Sequence, residues 1–200
     1  MLFESSISPE AVQALPELKF EGDIIVVDTL QQLKKLVPEL ILENTWGFDT
    51  ETKPNFLKGN PNPNTVSLLQ LSGAGKTYLF RLKKIGLPDI IKHILSSPKI
   101  VKAGVAVRDD INALKKIKTF SPEGFTELQT EAHKFGITDI SLRNLAAIVL
   151  GMRISKAQQL SNWENEQLSE KQIYYAAIDA WVCRQIFLKF QASIHDRENS

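Results

Sequence analysis

The 200-residue sequence holds one cysteine, Cys183, inside an apolar run. A single thiol forms no internal disulfide and fits a reducing compartment. Histidine is scarce as well. His93, His133 and His195 are scattered, show no zinc-ligand spacing and read as surface residues. Net charge is nearly absent: 24 Lys and Arg face 23 Asp and Glu, a formal +1. That excludes the whole-molecule basic field of a histone-like coat protein, though not a local nucleic-acid contact. Long apolar runs are missing too. Stretches such as Ile173–Ile178 fall far short of a membrane span. Met1–Phe20 carries Glu4, Glu10 and Glu17 and lacks a basic n-region. No membrane contact and a cytoplasmic location are therefore expected.

What is present is ordinary for a globular domain, with 43% hydrophobic and 24% charged residues. A chain of this size buries roughly 70% of its unfolded surface, so it needs no disulfide or metal staple. Ser8-Pro9-Glu10 opens a short helix. Strands are predicted at 23–27, 45–51, 66–72, 76–82 and 100–103. Helices are predicted at 29–36, 88–95, 107–117, 141–150 and 169–194, with Ser141 and Ser169 as caps and Gly151 as a stop. Residues 54–64 hold three prolines and four asparagines and read as a loop; 151–166 is polar and irregular. The short links between 45–51, 66–72 and 76–82 make an antiparallel meander, and strand 100–103 returns in parallel after a helix. The expected fold is an α/β mixed sheet flanked by helices. One domain over 1–200 is expected, with its core about 22–190 and an N-terminal extension at 1–20.

Four motifs bear on chemistry. Ser72-Gly73-Ala74-Gly75-Lys76-Thr77 looks like the end of a phosphate-binding P-loop. The pattern needs a glycine where Gln70 stands and a helix where Tyr78-Leu79-Phe80 continues as a strand. A hairpin turn explains it, and no nucleotide cofactor is expected. In Phe48-Asp49-Thr50-Glu51, strand alternation turns Asp49 and Glu51 to one face, roughly 7 Å apart. Such a pair is tolerable at a solvated strand end or around a divalent cation. In Arg108-Asp109-Asp110, a helical wheel from Val107 puts Asp110 at about −60°, inside the stripe of Ile111, Leu114 and Ile117. Asp109 falls on the far side at about −160°. In Tyr175-Ala176-Ala177-Ile178-Asp179 the phenol and carboxyl are neighbours four apart, and Asp179 sits mid-stripe on an apolar face. The plain alternative is a tyrosine–aspartate hydrogen bond within a core. Hard oxygen donors without Cys or clustered His suit Mg²⁺ or Mn²⁺ rather than Zn²⁺.

Taken together, Asp49-x-Glu51, Gly104 with Asp110 six residues on, and Tyr175-x-x-x-Asp179 resemble the three motifs of the DEDD 3′–5′ exonucleases, tyrosine subclass. The ribonuclease D catalytic domain and the Werner syndrome helicase exonuclease domain are the nearest likenesses. The resemblance covers roughly residues 22–190 and includes Val66-Ser67-Leu68-Leu69-Gln70-Leu71, Ser141-Leu142-Arg143-Asn144-Leu145 and Ser161-Asn162-Trp163. It implies a ribonuclease H-like sheet and hydrolysis from a 3′ end of DNA or RNA by two divalent cations, Mg²⁺ or Mn²⁺, releasing nucleoside 5′-monophosphates. It implies that Asp49 bridges both ions, that Glu51 and Asp179 complete the nucleophile-side site, and that Asp110 holds the second ion through water. Tyr175 would orient the attacking water. The alternative is a catalytically inactive nucleic-acid-binding or scaffold protein of the same fold. Phe56, Arg153 and Lys156 are candidate substrate contacts, against loop-anchor or solvated roles; Trp163 reads as packing. Setting the four metal-site acids aside, 24 bases against the remaining 19 acids leaves +5. The near-neutral total thus hides a site that repels phosphate when empty and attracts it when loaded.

Overall fold

A computed structural model describes residues 3–54, 66–155 and 157–198. A short helix α1 (Pro9–Ala14) is capped by the Ser8 hydroxyl, which accepts from the Ala11 amide. Strand β1 (Asp23–Val27) follows, then α2 (Leu30–Leu40), closed at its start by a Thr29–Gln32 capping box. α2 runs through Pro38, past the expected end at 36, because a proline in the last turn removes few helix bonds. Next come β2 (Thr45–Thr52), β3 (Val66–Ser72), β4 (Lys76–Arg81), and the short α3 (Leu82–Ile85) and α4 (Asp89–Ser96). Then follow β5 (Val101–Gly104), α5 (Val107–Ile117), β6 (Phe125–Glu127) and α6 (Leu128–Lys134). The chain closes with α7 (Leu142–Leu145), a π-helical turn (Ala146–Leu150) and the long α8 (Glu170–Glu198). Thus 141–150, expected as one α-helix, widens into a π turn before the left-handed Gly151. α3, β6 and α6 were not expected; β6 has only three residues, too few for alternation to register.

Among the described residues the sheet has six strands in the order β1-β4-β3-β2-β5-β6. β2, β3 and β4 form the expected antiparallel meander, while β1 on β4, β5 on β2 and β6 on β5 are parallel. The Gly73–Gly75 turn joins β3 directly to β4, and the Lys76 ammonium pairs with Glu39 at 2.6 Å. Every residue of β3 is buried, as befits a strand covered on both faces. One face packs Trp46, Phe48, Leu69, Leu71 and Phe80 against Leu33, Ile91, Ile94 and Leu114. The other face lies under α8, with Leu68, Leu79, Ala176 and the fully buried Trp163 beneath it. No helix among the described residues is long and apolar enough to cross a membrane.

Two features position the cleft described next. The first is an N-terminal clasp. Leu18 donates its amide to the Arg153 carbonyl at 2.9 Å, Arg153 returns its own amide to Pro16 at 3.0 Å, and Thr138 donates to Ser5 at 2.7 Å. The second is the crossing of α8 over β2. A Cβ at Gly47 would overlap the Ala180 carbonyl oxygen and lie 2.8 Å from the Arg184 amide nitrogen. Arg184 ties the same crossing by donating to the Thr45 carbonyl at 3.0 Å. Gly47→Ala must therefore push helix from strand. It is expected to cost about 2–3 kcal/mol, lowering Tm by roughly 5–10 °C in a thermal melt.

Candidate active site

Alternation along β2 sends Trp46 and Phe48 into one core and Asp49 and Glu51 toward α8. The three alanines 176, 177 and 180 are fully buried, and this smooth face lets Asp179 meet them. Carboxylate oxygens of Asp49, Glu51 and Asp179 all lie within 4.8 Å of one another. The strand register slips between Glu51 and Thr52, an irregularity of the kind that re-aims side chains beside functional sites. The group floors a cleft of about 280 Å³ whose walls include Val105, Ser141, Arg143, Ile154, Ser155, Gln159 and Tyr175.

Asp110 stands apart from this trio. Its carboxylate accepts from the Thr50 hydroxyl at 2.6 Å, and Thr50 lines the cleft between Asp49 and Glu51. Asp109 is exposed, whereas Asp110 is half-buried. The start of α5 is set by Glu127, whose carboxylate accepts the Ala106 and Val107 amides at 3.0 and 2.9 Å. Ala106 there holds a left-handed φ of 56°. Sequence reading missed both Thr50 and Glu127. Each acts on a partner distant in sequence, and no local pattern marks either.

The electrostatics are one-sided. Burial, then the charges of Asp179, Glu51 and Asp110, hold the Asp49 carboxyl well above its ordinary value; the Thr50 backbone amide opposes this weakly. Burial, then Asp179 and Asp110, push Glu51 up to about 9. Asp110 rises to about 6, chiefly through burial and against its hydrogen bond from Thr50. Asp179 is raised by burial and eased by a hydrogen bond from Tyr175. Burial and the surrounding carboxylates hold the Tyr175 phenol above its usual value, so it stays a proton donor. The Tyr175 ring lies 6.1 Å from Trp163, which packs as expected. Every charge acting on Asp49 and Glu51 is negative. Hard oxygen donors crowded in this way fit a divalent cation, which would neutralise them together. Cys183 is buried nearby with its thiol pushed well up by burial, so it offers no thiolate.

The remaining candidates fall elsewhere. Phe56 and Lys156 lie outside the described residues. Arg153 is engaged by the clasp: its Nε donates to the Leu15 carbonyl at 3.1 Å and its Nη2 pairs with Glu17 at 2.8 Å. His93, His133 and His195 are exposed. Ser141 and Arg143 also line the cleft; the resemblance includes them within Ser141-Leu142-Arg143-Asn144-Leu145 without a site role, and Gln159, in the irregular 151–166 segment, carries no local sign of facing a site.

A mixed sheet whose central strand and covering helix gather carboxylates in a cleft is the architecture of ribonuclease H-like exonuclease domains. Comparison with known proteins agrees. A family model described as 3′–5′ exonuclease matches residues 24–195. The bifunctional 3′–5′ exonuclease/ATP-dependent helicase WRN of Mus musculus is 31% identical over 185 residues, covering 88% of this chain and 13% of that protein. Ribonuclease D of Gluconacetobacter diazotrophicus is 28% identical over 168 residues, covering 82% of this chain and 42% of that protein. The crystal structure of the Aedes aegypti Nibbler EXO domain superposes with a TM-score of 0.76 at 22% identity, over 91% of this chain and 93% of that one. The chain belongs to the 3′–5′ exonuclease family. It spans less than half the length of the curated relatives it matches.

The raised carboxyls fix a pH dependence. Their folded values lie above the unfolded ones near 4, so between pH 4 and 9 the folded state holds more protons than the unfolded chain. Their stability contribution is full below about pH 4 and is lost as pH rises through about 6 and then about 9. In EDTA, Tm is expected to fall from pH 5 to pH 8, and Mn²⁺ should reverse the fall. Asp49→Asn should raise Tm at pH 8 in EDTA and remove most of the Mn²⁺ response.

Proposed function

We propose that this chain is a 3′–5′ exonuclease that hydrolyses the terminal phosphodiester of a DNA or RNA 3′ end and releases nucleoside 5′-monophosphates, with residues about 22–190 as the catalytic core. The observation that carries this reading is the meeting of Asp49, Glu51 and Asp179 within 4.8 Å beside Tyr175. Asp49, Glu51 and Asp179 would hold one divalent ion. Asp49 and Asp110 would hold a second, Asp110 through water. Bound there, such ions supply Lewis acidity, lowering the pKa of water and neutralising charge on the leaving 3′ oxygen.

The side chains then have separable tasks. Asp49 stands at the centre of the acidic group and feels all three other carboxylates, as a residue shared between two sites must. Thr50 fixes Asp110 by its hydroxyl, setting the distance of the outer acid from the trio. Tyr175 keeps its proton, so it acts as a hydrogen-bonding post for the attacking water rather than as a base. Its hydrogen bond to Asp179 sets the rotamers of both, and Trp163 supports the ring from below. Ile154 and Val105 line the walls with apolar surface that narrows access for bulk water.

A 5′-labelled oligonucleotide resolved on a gel tests the reading, with single-stranded DNA, recessed duplex DNA and RNA run side by side in Mg²⁺ or Mn²⁺. The unmutated chain should give a ladder of products shortened from the 3′ end. Asp49→Ala should abolish it; shortening at the wild-type rate by Asp49→Ala would refute the assignment. Tyr175→Phe is expected to slow turnover by about 10²–10³-fold, while isothermal titration with Mn²⁺ returns an affinity close to that of the unmutated chain.

A further inference from the structure

Resting on that reading, we propose that Arg143 is a substrate-positioning residue whose guanidinium grips a backbone phosphate of the strand held in the cleft. Among the described residues that line the cleft it is the sole cation, facing a wall of carboxylates. Its Nε is buried and has no hydrogen-bond partner among the described residues. Arg81 shares an unpartnered Nε but is held through its terminal nitrogens, and the other partly buried arginines are engaged. Arg81 donates its terminal nitrogens to the Asn165 and Glu166 carbonyls, Arg153 is held by Leu15 and Glu17, and Arg184 by Thr45 and Glu43. Arg143 as a whole is half-buried, so its terminal nitrogens, rather than the covered Nε, are the donors a strand can reach.

Arg143 is also no counter-ion for the acidic trio. The charges that shift Asp49 and Glu51 are all carboxylates, and Asp179 is eased by Tyr175 alone. The guanidinium makes no ion pair with these acids among the described residues, although it lines the same cleft. Its backbone is fixed, because the Ser141 hydroxyl caps α7 by accepting the Asn144 amide at 3.2 Å. A planar fork of donors matches two phosphate oxygens better than an ammonium does. Phosphate enters an acidic cleft more readily where one wall offers a fixed positive charge of its own.

The test uses the full chain with Mg²⁺ and a 5′-fluorescein single-stranded oligonucleotide whose 3′-terminal linkages are phosphorothioates. Binding is followed by fluorescence anisotropy across a salt series. Arg143→Gln is expected to bind about ten-fold more weakly and to flatten the slope of log K against log salt by about 0.7, the loss of one single-strand phosphate contact. Unchanged affinity and slope in Arg143→Gln overturns the proposal while leaving the exonuclease reading intact. A chain that neither binds nor shortens any oligonucleotide removes both. A second measurement needs no mutation. The Arg143 guanidinium resonances of the unmutated chain should shift when oligonucleotide is added, and guanidinium resonances that all stay in place at saturation also overturn the assignment.

Discussion

The approach of α8 to β2 at Gly47 is the contact on which the acidic centre depends. Asp179 reaches Asp49 and Glu51 only because a strand residue without a side chain lies under the Ala180 carbonyl. Helix-on-sheet packing is normally spaced by side chains. Here Gly47 on the strand and alanines 176, 177 and 180 on the helix remove that spacing along one line. Arg184 holds the crossing through its bond to the Thr45 carbonyl. The functional group is therefore a by-product of backbone proximity, and a rigid one, since neither element can rotate without burying a carboxylate against carbon.

The same proximity sets the protein's main electrostatic liability. Four acids, three of them within 4.8 Å of one another, are drawn from water, and the charges that raise the central one are all carboxylates. A fold selected for stability alone would replace one with an amide. All four are nonetheless present together, at a cost in stability that a bound divalent cation would offset. Thr50 and Tyr175 ease the outer acids by hydrogen bonding, while Asp49 receives only a backbone amide. The central acid is the least compensated, and it is where a bound cation would relieve the most.

Much of this arrangement is legible in the residues, and the limits are physical. The buried run Val66–Ser72 and the meander around it are local patterns, and a period of two reveals them. The wheel that separates Asp110 from Asp109 works because α5 has one clear apolar stripe. Tyr175 and Asp179 meet because they share a helix face. What stays hidden is long-range. Thr50 bonds Asp110 across 60 residues, and Glu127 caps α5 from 20 residues away. β6 is too short to alternate. Arg143 looks like any solvated arginine until the fold turns it into a cleft. Arg153 resembled a phosphate contact, yet it is engaged by the clasp, because Leu15 and Glu17 return to it from the other end of the chain.

That clasp has a consequence in time. The bonds joining Ile7 to Asp139 and Leu15 to Arg153 span 132 and 138 residues. The segment they secure, Arg153–Ser155, is a wall of the cleft, while the floor needs Asp49 and Asp179 from early and late in the chain. Contacts of such separation close after local ones, because the loop entropy must be met first. The cleft is therefore assembled late in folding, once residues near Leu15, Asp49, Arg153 and Asp179 have met.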